Sequence, residues 1–222
     1  MTRKKAWSIS ALKSYEQCPR RYYEMSVAKN FQDKPSEHMT WGNDVHKALE
    51  ERLRDGKPLP IGMRQWEPIA AALDKQPGQK LVEQKLALSE VFNPTTWFGK
   101  NVWVRSIIDL AIVNGEKAVI VDYKTGKVKE DFDQLALMAA VMFNQAEEIE
   151  QVSAMFIWLQ EEWPKNISKV TYTREELPGL WERFLAREEA YQNAHATNDF
   201  PPKPSGLCRQ WCAVSTCPYH GG

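Results

Sequence analysis

A net charge is what this chain lacks first: 29 lysines and arginines stand against 29 aspartates and glutamates. That balance argues against a long, non-specific coating of nucleic acid. It leaves room for a local basic groove, because net charge says nothing about distribution. Long apolar runs are missing too; no stretch reaches the roughly eighteen residues that suggest a membrane-crossing helix. The basic opening Met1-Thr-Arg-Lys-Lys5 leads into Trp7-Ser-Ile-Ser10, too short and polar for the apolar part of a secretory leader. These absences point to a cytoplasmic protein with no membrane partner. Internal repeats and low-complexity blocks are also missing. Cysteine is scarce, with four in 222 residues. In a reducing compartment such cysteines are more often free, ligating or catalytic than bridged.

What is present is ordinary globular composition, 43% hydrophobic and 26% charged. A chain of this size buries roughly 70% of its unfolded surface without staples. We expect one domain over residues 1–222, with a core from about 41 to 196. Ser8 or Ser10 is placed to cap a first helix running to about Lys29, with Leu12, Tyr15, Tyr22 and Tyr23 along it. A loop over 32–37 precedes a helix from Asn43 to Arg54, where Val45, Leu49 and Leu53 recur at i+4 and Asp55-Gly56-Lys57-Pro58 provides the stop. Another helix fits 63–75. The period then changes, and 81–91, 102–113 and 117–123 read as β-branched strands. A helix over 131–144, strands over 152–160 and 167–173, and a long helix over 175–196 follow. On the last, Leu177, Leu180, Trp181, Phe184 and Leu185 form one side. Phe200-Pro-Pro-Lys-Pro204 is a stiff extended linker. The order predicts an α/β (α+β) fold, a central sheet flanked by helices.

Asn114-Gly115 is the strongest hairpin signal in the chain. With those two residues as the loop, Val113 pairs with Glu116, Asp109 lies opposite Ile120, and Asp122 lies opposite Ile107. Asp109 and Asp122 are then diagonal neighbours on one face, roughly 7–8 Å apart at the backbone. Lys124 points to that face as well. Ile108, Leu110, Val119, Val121 and Tyr123 fall on the other, toward the core. Two converging carboxylates suit a hard divalent cation, which polarises a phosphate and activates water. A lysine beside them orients that water or stabilises developing charge. A surface salt bridge would explain one Asp-x-Lys by itself. The apolar runs Ile107-Ile-Asp-Leu110 and Val119-Ile-Val-Asp-Tyr-Lys124 weigh against it, since charges set among such residues are usually functional or paired.

Asp109, a thirteen-residue step, then Asp122-Tyr-Lys124-Thr-Gly126 resembles the PD-(D/E)xK nucleases, closest to the branch of the RecB and AddB nuclease domains and Cas4. Gln134 matches the glutamine that follows the lysine motif there. Met138 stands where that branch usually has tyrosine, and Ser106 where a glycine often precedes the first acid. The resemblance implies a restriction-endonuclease-like mixed sheet. It also implies Mg²⁺ or Mn²⁺ held by His46 (in Gly42-x-x-x-His46), Asp109, Asp122 and the Tyr123 backbone carbonyl, with Lys124 and Gln134 completing the catalytic set. As a lone residue, His46 would read as ordinary helix surface. Glu83 is placed equally well as a supporting acid or as a solvated strand residue.

Cys18, in Glu16-Gln-Cys-Pro19, together with Cys208, Cys212 and Cys217 resembles the iron–sulfur staple of AddB and Cas4. The family spacing is two residues, then five, between the last three cysteines. Here it is three, then four. Four thiolates suit a [4Fe–4S] cluster or a tetrahedral zinc, with His220 a substitute ligand. Such a site would join residues 8–30 to 205–220. Four unligated buried cysteines are the plainer alternative. Arg20 and Arg21 are weak candidates for phosphate contacts, and Lys127 and Lys129 follow the active strand. The function implied is a Mg/Mn-dependent deoxyribonuclease, an exonuclease on single- or double-stranded DNA ends, serving recombination, repair or phage replication in a cell or host cytoplasm. The alternatives are an inactive DNA- or partner-binding module, and a Cas4-like processing subunit with a recombination or CRISPR-adaptation partner.

Overall fold

The computed structural model describes residues 4–34 and 36–222. Two compact units divide the chain: Ser36–Trp181, and Met1–Pro35 with Glu182–Gly222.

The first unit is built on a six-stranded sheet. Its strands are β1 (Gln79–Ser89), β2 (Pro94–Thr95), β3 (Val102–Asn114), β4 (Lys117–Lys124), β5 (Gln151–Trp158) and β6 (Ile167–Thr173). They stand in the order β2-β1-β3-β4-β5-β6. Only β4 and β5 pair in parallel. A parallel neighbour needs a crossover, and α5 (Phe132–Gln145) provides it. Every residue of α5 from Leu135 to Phe143 is buried, as expected of a helix that is apolar on all sides. The result is the mixed sheet flanked by helices that the sequence predicts.

Two earlier helices are labelled α3 (Glu37–Asp55) and α4 (Glu67–Asp74), after α1 (Ile9–Gln17) and α2 (Pro19–Tyr22). Val45, Leu49 and Leu53 of α3 are buried, and they join Met63, Trp66 and Ala70 against Leu110, Ile112, Val121, Tyr123 and Ile157 of the sheet. α3 begins six residues before the expected Asn43. Ser36 caps it by accepting from the Met39 amide at 3.2 Å, and the first turns are exposed, Met39 and Trp41 included, so no buried stripe runs through them. Gly56, at φ 68°, closes the helix in the left-handed region, as the sequence indicates. The helix expected over 63–75 divides into a 3₁₀ segment, Ile61–Trp66, and α4. β2 was not foreseen from sequence; two residues carry no period.

The second unit holds both chain ends. α1 is capped by Ser8, but the first helix does not continue to Lys29. Cys18, ahead of Pro19, takes φ −162° and ψ 107°, because a residue before proline is pushed out of the helical region. α2 follows, then a π-helical turn at Tyr23–Val27. α6 (Leu177–Thr197) starts in the sheet unit and runs into this one. Leu180, Trp181 and Phe184 of α6 are buried, whereas Leu185 is exposed and lies off the expected face. Tyr22, Tyr191, His195 and Phe200 form an aromatic cluster. Within it the Tyr22 and Tyr191 hydroxyls are 2.5 Å apart, and Tyr22 Oη is 3.1 Å from His195 Nε2.

Candidate active site

The β3–β4 hairpin places the first two acids, and its register differs from the expected one. Asn114 pairs with Lys117, and the ladder runs from there to Leu110 with Val121. The loop is therefore Gly115-Glu116. Of those two residues only Gly115 takes positive φ, at 59°, the pattern of a type II′ turn with glycine first. A loop of Asn114-Gly115 would have required the left-handed region at Asn114 too. Ile120 pairs with Ala111, and Ile107 pairs with Lys85 on the other side of β3. One step past Leu110–Val121, the register sets Asp109 directly across from Asp122 instead of diagonally. The two-residue shift keeps both acids on one face, so the convergence survives the correction. Ile108, Leu110, Val121 and Tyr123 are buried, as expected of the opposite face.

At that step the backbone ladder gives way to side chains. Asp109 Oδ2 accepts the Tyr123 amide at 2.9 Å, and His46 Nδ1 of α3 lies 3.2 Å from the same oxygen. Asp122, only 4% exposed, turns toward α5. Its Oδ1 accepts from Gln134 Nε2 at 2.6 Å. Its Oδ2 lies 2.5 Å from Lys124 Nζ, and Lys124 Nζ donates to Gln134 Oε1 at 3.0 Å. The Oδ2–Nζ approach is a close ion pair. Asp122, Lys124 and Gln134 thus close a ring, and the Phe156 face lies 5.0 Å from the ammonium.

The electrostatics follow from this crowding. Burial, then the nearby Asp109 charge, pushes the Asp122 carboxyl up to about 6 against the pull of Lys124. For His46, burial acts downward, but the Asp109 hydrogen bond and the charges of Asp109 and Asp122 outweigh it, so its pKa is raised. Burial also raises the Tyr123 phenol, with Asp109 adding to it. Glu83 belongs to the same neighbourhood: burial first, then Asp109 and Glu50, raise its carboxyl. Its backbone sits at φ 52° in the middle of β1, a left-handed conformation that costs a non-glycine residue about 1–3 kcal/mol and clusters at functional sites. Sequence could place Glu83 on a strand but had no signal for that dihedral. Nor could it foresee Phe156, which enters through the parallel pairing of Asp122 with Phe156.

Among the described residues, no group of three or more His, Cys, Asp or Glu side chains stands as an assembled metal-holding set. His46, Asp109 and Asp122 are neighbours, with Asp109 turned to the Tyr123 amide and Asp122 to Gln134 and Lys124. The donor chemistry nonetheless fits a hard divalent cation. Two carboxylates on one face of paired strands, and an imidazole 3.2 Å from the first, offer the oxygen and nitrogen ligands that such a cation takes.

All four cysteines are free and half-buried. They lie in the unit that holds both chain ends. Cys18 Sγ accepts the Arg21 and Lys203 amides at 3.5 and 3.4 Å, and Cys208 Sγ accepts the Ser205 amide at 3.4 Å. Arg20 pairs with Glu24 and Arg21 with Asp33, so neither is an uncommitted cation, while Lys127 and Lys129 are exposed. No helix among the described residues is long and apolar enough to cross a membrane.

Comparison with known proteins gives a family and a fold. The profile of the PD-(D/E)XK nuclease superfamily matches residues 6–220. Among solved structures, the chain is similar to a protein from Eubacterium rectale designated "Putative exonuclease", with a TM-score of 0.52 and 15% identity over 92% of this chain and 86% of that one. It is also similar to SSO0001, with a TM-score of 0.45 and 14% identity over 99% of this chain and 89% of that one. No curated protein matches it.

Proposed function

Since the chain belongs to the PD-(D/E)XK nuclease superfamily, we propose that it is a Mg²⁺- or Mn²⁺-dependent deoxyribonuclease of the RecB- and Cas4-like branch, acting as an exonuclease on DNA ends in recombination, repair or phage replication. The observation that carries this reading is the closed Asp122–Lys124–Gln134 ring beside the Asp109–His46 pair. A degenerate fold has no use for two acids and a lysine kept in order, one acid of them buried at a cost. The Eubacterium rectale protein's designation supports the exonuclease part.

On this reading Asp109, Asp122, His46 and the Tyr123 carbonyl hold the cation, which when bound polarises the scissile phosphate and lowers the pKa of water. The chain's own residues do the rest. Tyr123 N–H fixes the Asp109 carboxylate, and Gln134 fixes both Asp122 and Lys124. Lys124 presents an ammonium to the charge that develops on the phosphate oxygens. Hydrolysis divides the phosphodiester: water adds its oxygen to phosphorus, and the leaving sugar oxygen takes up a proton. The whole chain, 1–222, acts as one nuclease domain.

The cysteines are read as a [4Fe–4S] site, with zinc the alternative, tying 8–30 to 205–220. Two of the thiols already accept backbone N–H bonds that stabilise thiolate ligands, which supports this. Iron, sulfide and zinc analysis of anaerobically purified protein tests it. Cys212→Ser should lose the metal and melt at lower temperature; unchanged metal content and melting would sink the staple.

The test of function is digestion of end-labelled linear single- and double-stranded DNA beside a covalently closed circle, with Mg²⁺ or Mn²⁺ and with EDTA. Metal-dependent loss of the linear substrates alone establishes the exonuclease. A cut circle makes it an endonuclease, as in Cas4-like processing. No cleavage with either metal overturns the proposal in favour of a DNA- or partner-binding module.

A further inference from the structure

β3 is longer than its partner. Only Leu110–Asn114 pair with β4, whereas the pairing with β1 extends to Val102. Beyond Asp109 the hairpin therefore continues as a ribbon of β1 and β3. Ile107 and Lys85 are cross-strand partners in it, and both are exposed, Ile107 by 41% in the middle of a thirteen-residue strand. Alternation along β3 puts Arg105, Ile107 and Asp109 on one face. Arg105 reaches the turn ahead of the strand. Its Nε donates to Trp97 O at 3.0 Å, and its guanidinium lies 5.4 Å over the Trp97 ring. Arg105 is engaged by Trp97 instead of a carboxylate, and the exposed Lys85 carries a charge that acts on the Glu83 carboxyl of the same strand.

The turn itself is fixed. Gly99 N donates to Thr96 O at 2.8 Å, and Thr95 Oγ1 donates to Asn101 Oδ1 at 2.7 Å across its base. A Cβ on Gly99 would come within 2.7 Å of Thr95 Oγ1 and 3.0 Å of Thr96 O, so a side chain there would push on this closure. At the tip stands Phe98, 88% exposed, where turns usually place Pro, Asp, Ser or Gly. An aromatic ring exposed to water on a hydrogen-bonded turn, next in sequence to the Trp97 that carries Arg105, has a natural occupant in a nucleic-acid strand. Every base has a stacking face whatever its identity, and phosphates match Lys and Arg. The path from Asp109 to Arg105 is about 13 Å, room for roughly four stacked nucleotides.

We propose that this ribbon face is the guide for a single DNA strand, with a base stacked on Phe98 and its phosphates passing Arg105 and Lys85 to reach Asp109. The proposal rests on the nuclease reading and names how that site takes its substrate. The metal-free full-length protein in EDTA is titrated with fluorescein-labelled oligothymidylate, followed by anisotropy over a range of salt. Phe98→Ala should bind roughly tenfold more weakly and Phe98→Trp should restore binding. Arg105→Gln should lower the salt slope by about one. In turnover with metal, Phe98→Ala should raise KM and leave kcat nearly unchanged. Equal affinity of the wild type and Phe98→Ala overturns the guide, as does a wild type that binds no oligonucleotide. A wild type that binds in this way and cleaves nothing leaves the guide standing and sinks the hydrolytic reading instead.

Discussion

Asp122 shows how crowding acts on a single residue. Its carboxylate is almost fully buried, lies near a second acid, and has Lys124, Gln134 and His46 to support its charge. Asp122→Asn should therefore abolish metal-dependent digestion without lowering the thermal midpoint in EDTA, because the buried charge leaves and the amide keeps the shape. A variant that digests DNA at the wild-type rate would remove Asp122 from the active site. Glu83 makes the complementary case. Its left-handed backbone costs about 1–3 kcal/mol, and glycine at that position relieves the strain while giving up roughly 0.5–1 kcal/mol of chain entropy. Glu83→Gly should raise the melting temperature and slow cleavage, a stability gain at the expense of activity. A lower melting temperature would mean that the side chain, not the backbone, is what the fold needs. Of these residues, sequence reveals the acids, the lysine and Gln134, because their order along the chain carries the signal. It does not reveal the Glu83 dihedral or the Phe156 contact, which exist only once strands from distant segments align.

At the level of elements, periodicity was legible wherever an element has one wet and one dry side, as in α3 from Val45 onward. The start of α3 was not, because its first turns are exposed, Met39 and Trp41 included, so no buried stripe runs through them and the Ser36 cap marks them. The hairpin shows a finer limit. Asn-Gly identifies a turn but not which pair of residues forms the loop, and a one-residue slide of the loop shifts the register by two. The face was read correctly and the partners were not. Gly115 sets that loop, and nothing lies within 4 Å of a Cβ placed there. Gly115→Ala therefore isolates the dihedral cost, about 1–2 kcal/mol for a non-glycine residue in the left-handed region. Denaturant unfolding measures it. A loss near zero would mean that the hairpin refolds into another loop type, and digestion rates would then change with the position of Asp109.

For the molecule as a whole, pH sums groups that act in opposite directions, and the signs can be worked out one by one. His46 is raised in the fold, so its contribution is present below the unfolded value and is lost as pH climbs through the folded one. Asp122, raised to about 6, behaves likewise and loses its contribution as pH rises through that value. His195 does the reverse. Burial in the aromatic cluster, then the Lys5 charge, holds its pKa below 6.5. The unfolded chain thus takes up this proton first, and the stability His195 contributes is full above about pH 6.5 and drains away as pH falls through the folded pKa. Protonation would also place a charge among Tyr22, Tyr191 and Phe200. Wild type and His195→Phe should therefore be compared by urea unfolding in EDTA near pH 8 and near pH 5. His46 and Asp122 contribute equally to both proteins, so the difference belongs to His195. Wild type should lose more stability on acidification than the phenylalanine variant does. Parallel losses would show that the cluster tolerates the imidazolium, with its proton shared through the Tyr22 hydroxyl.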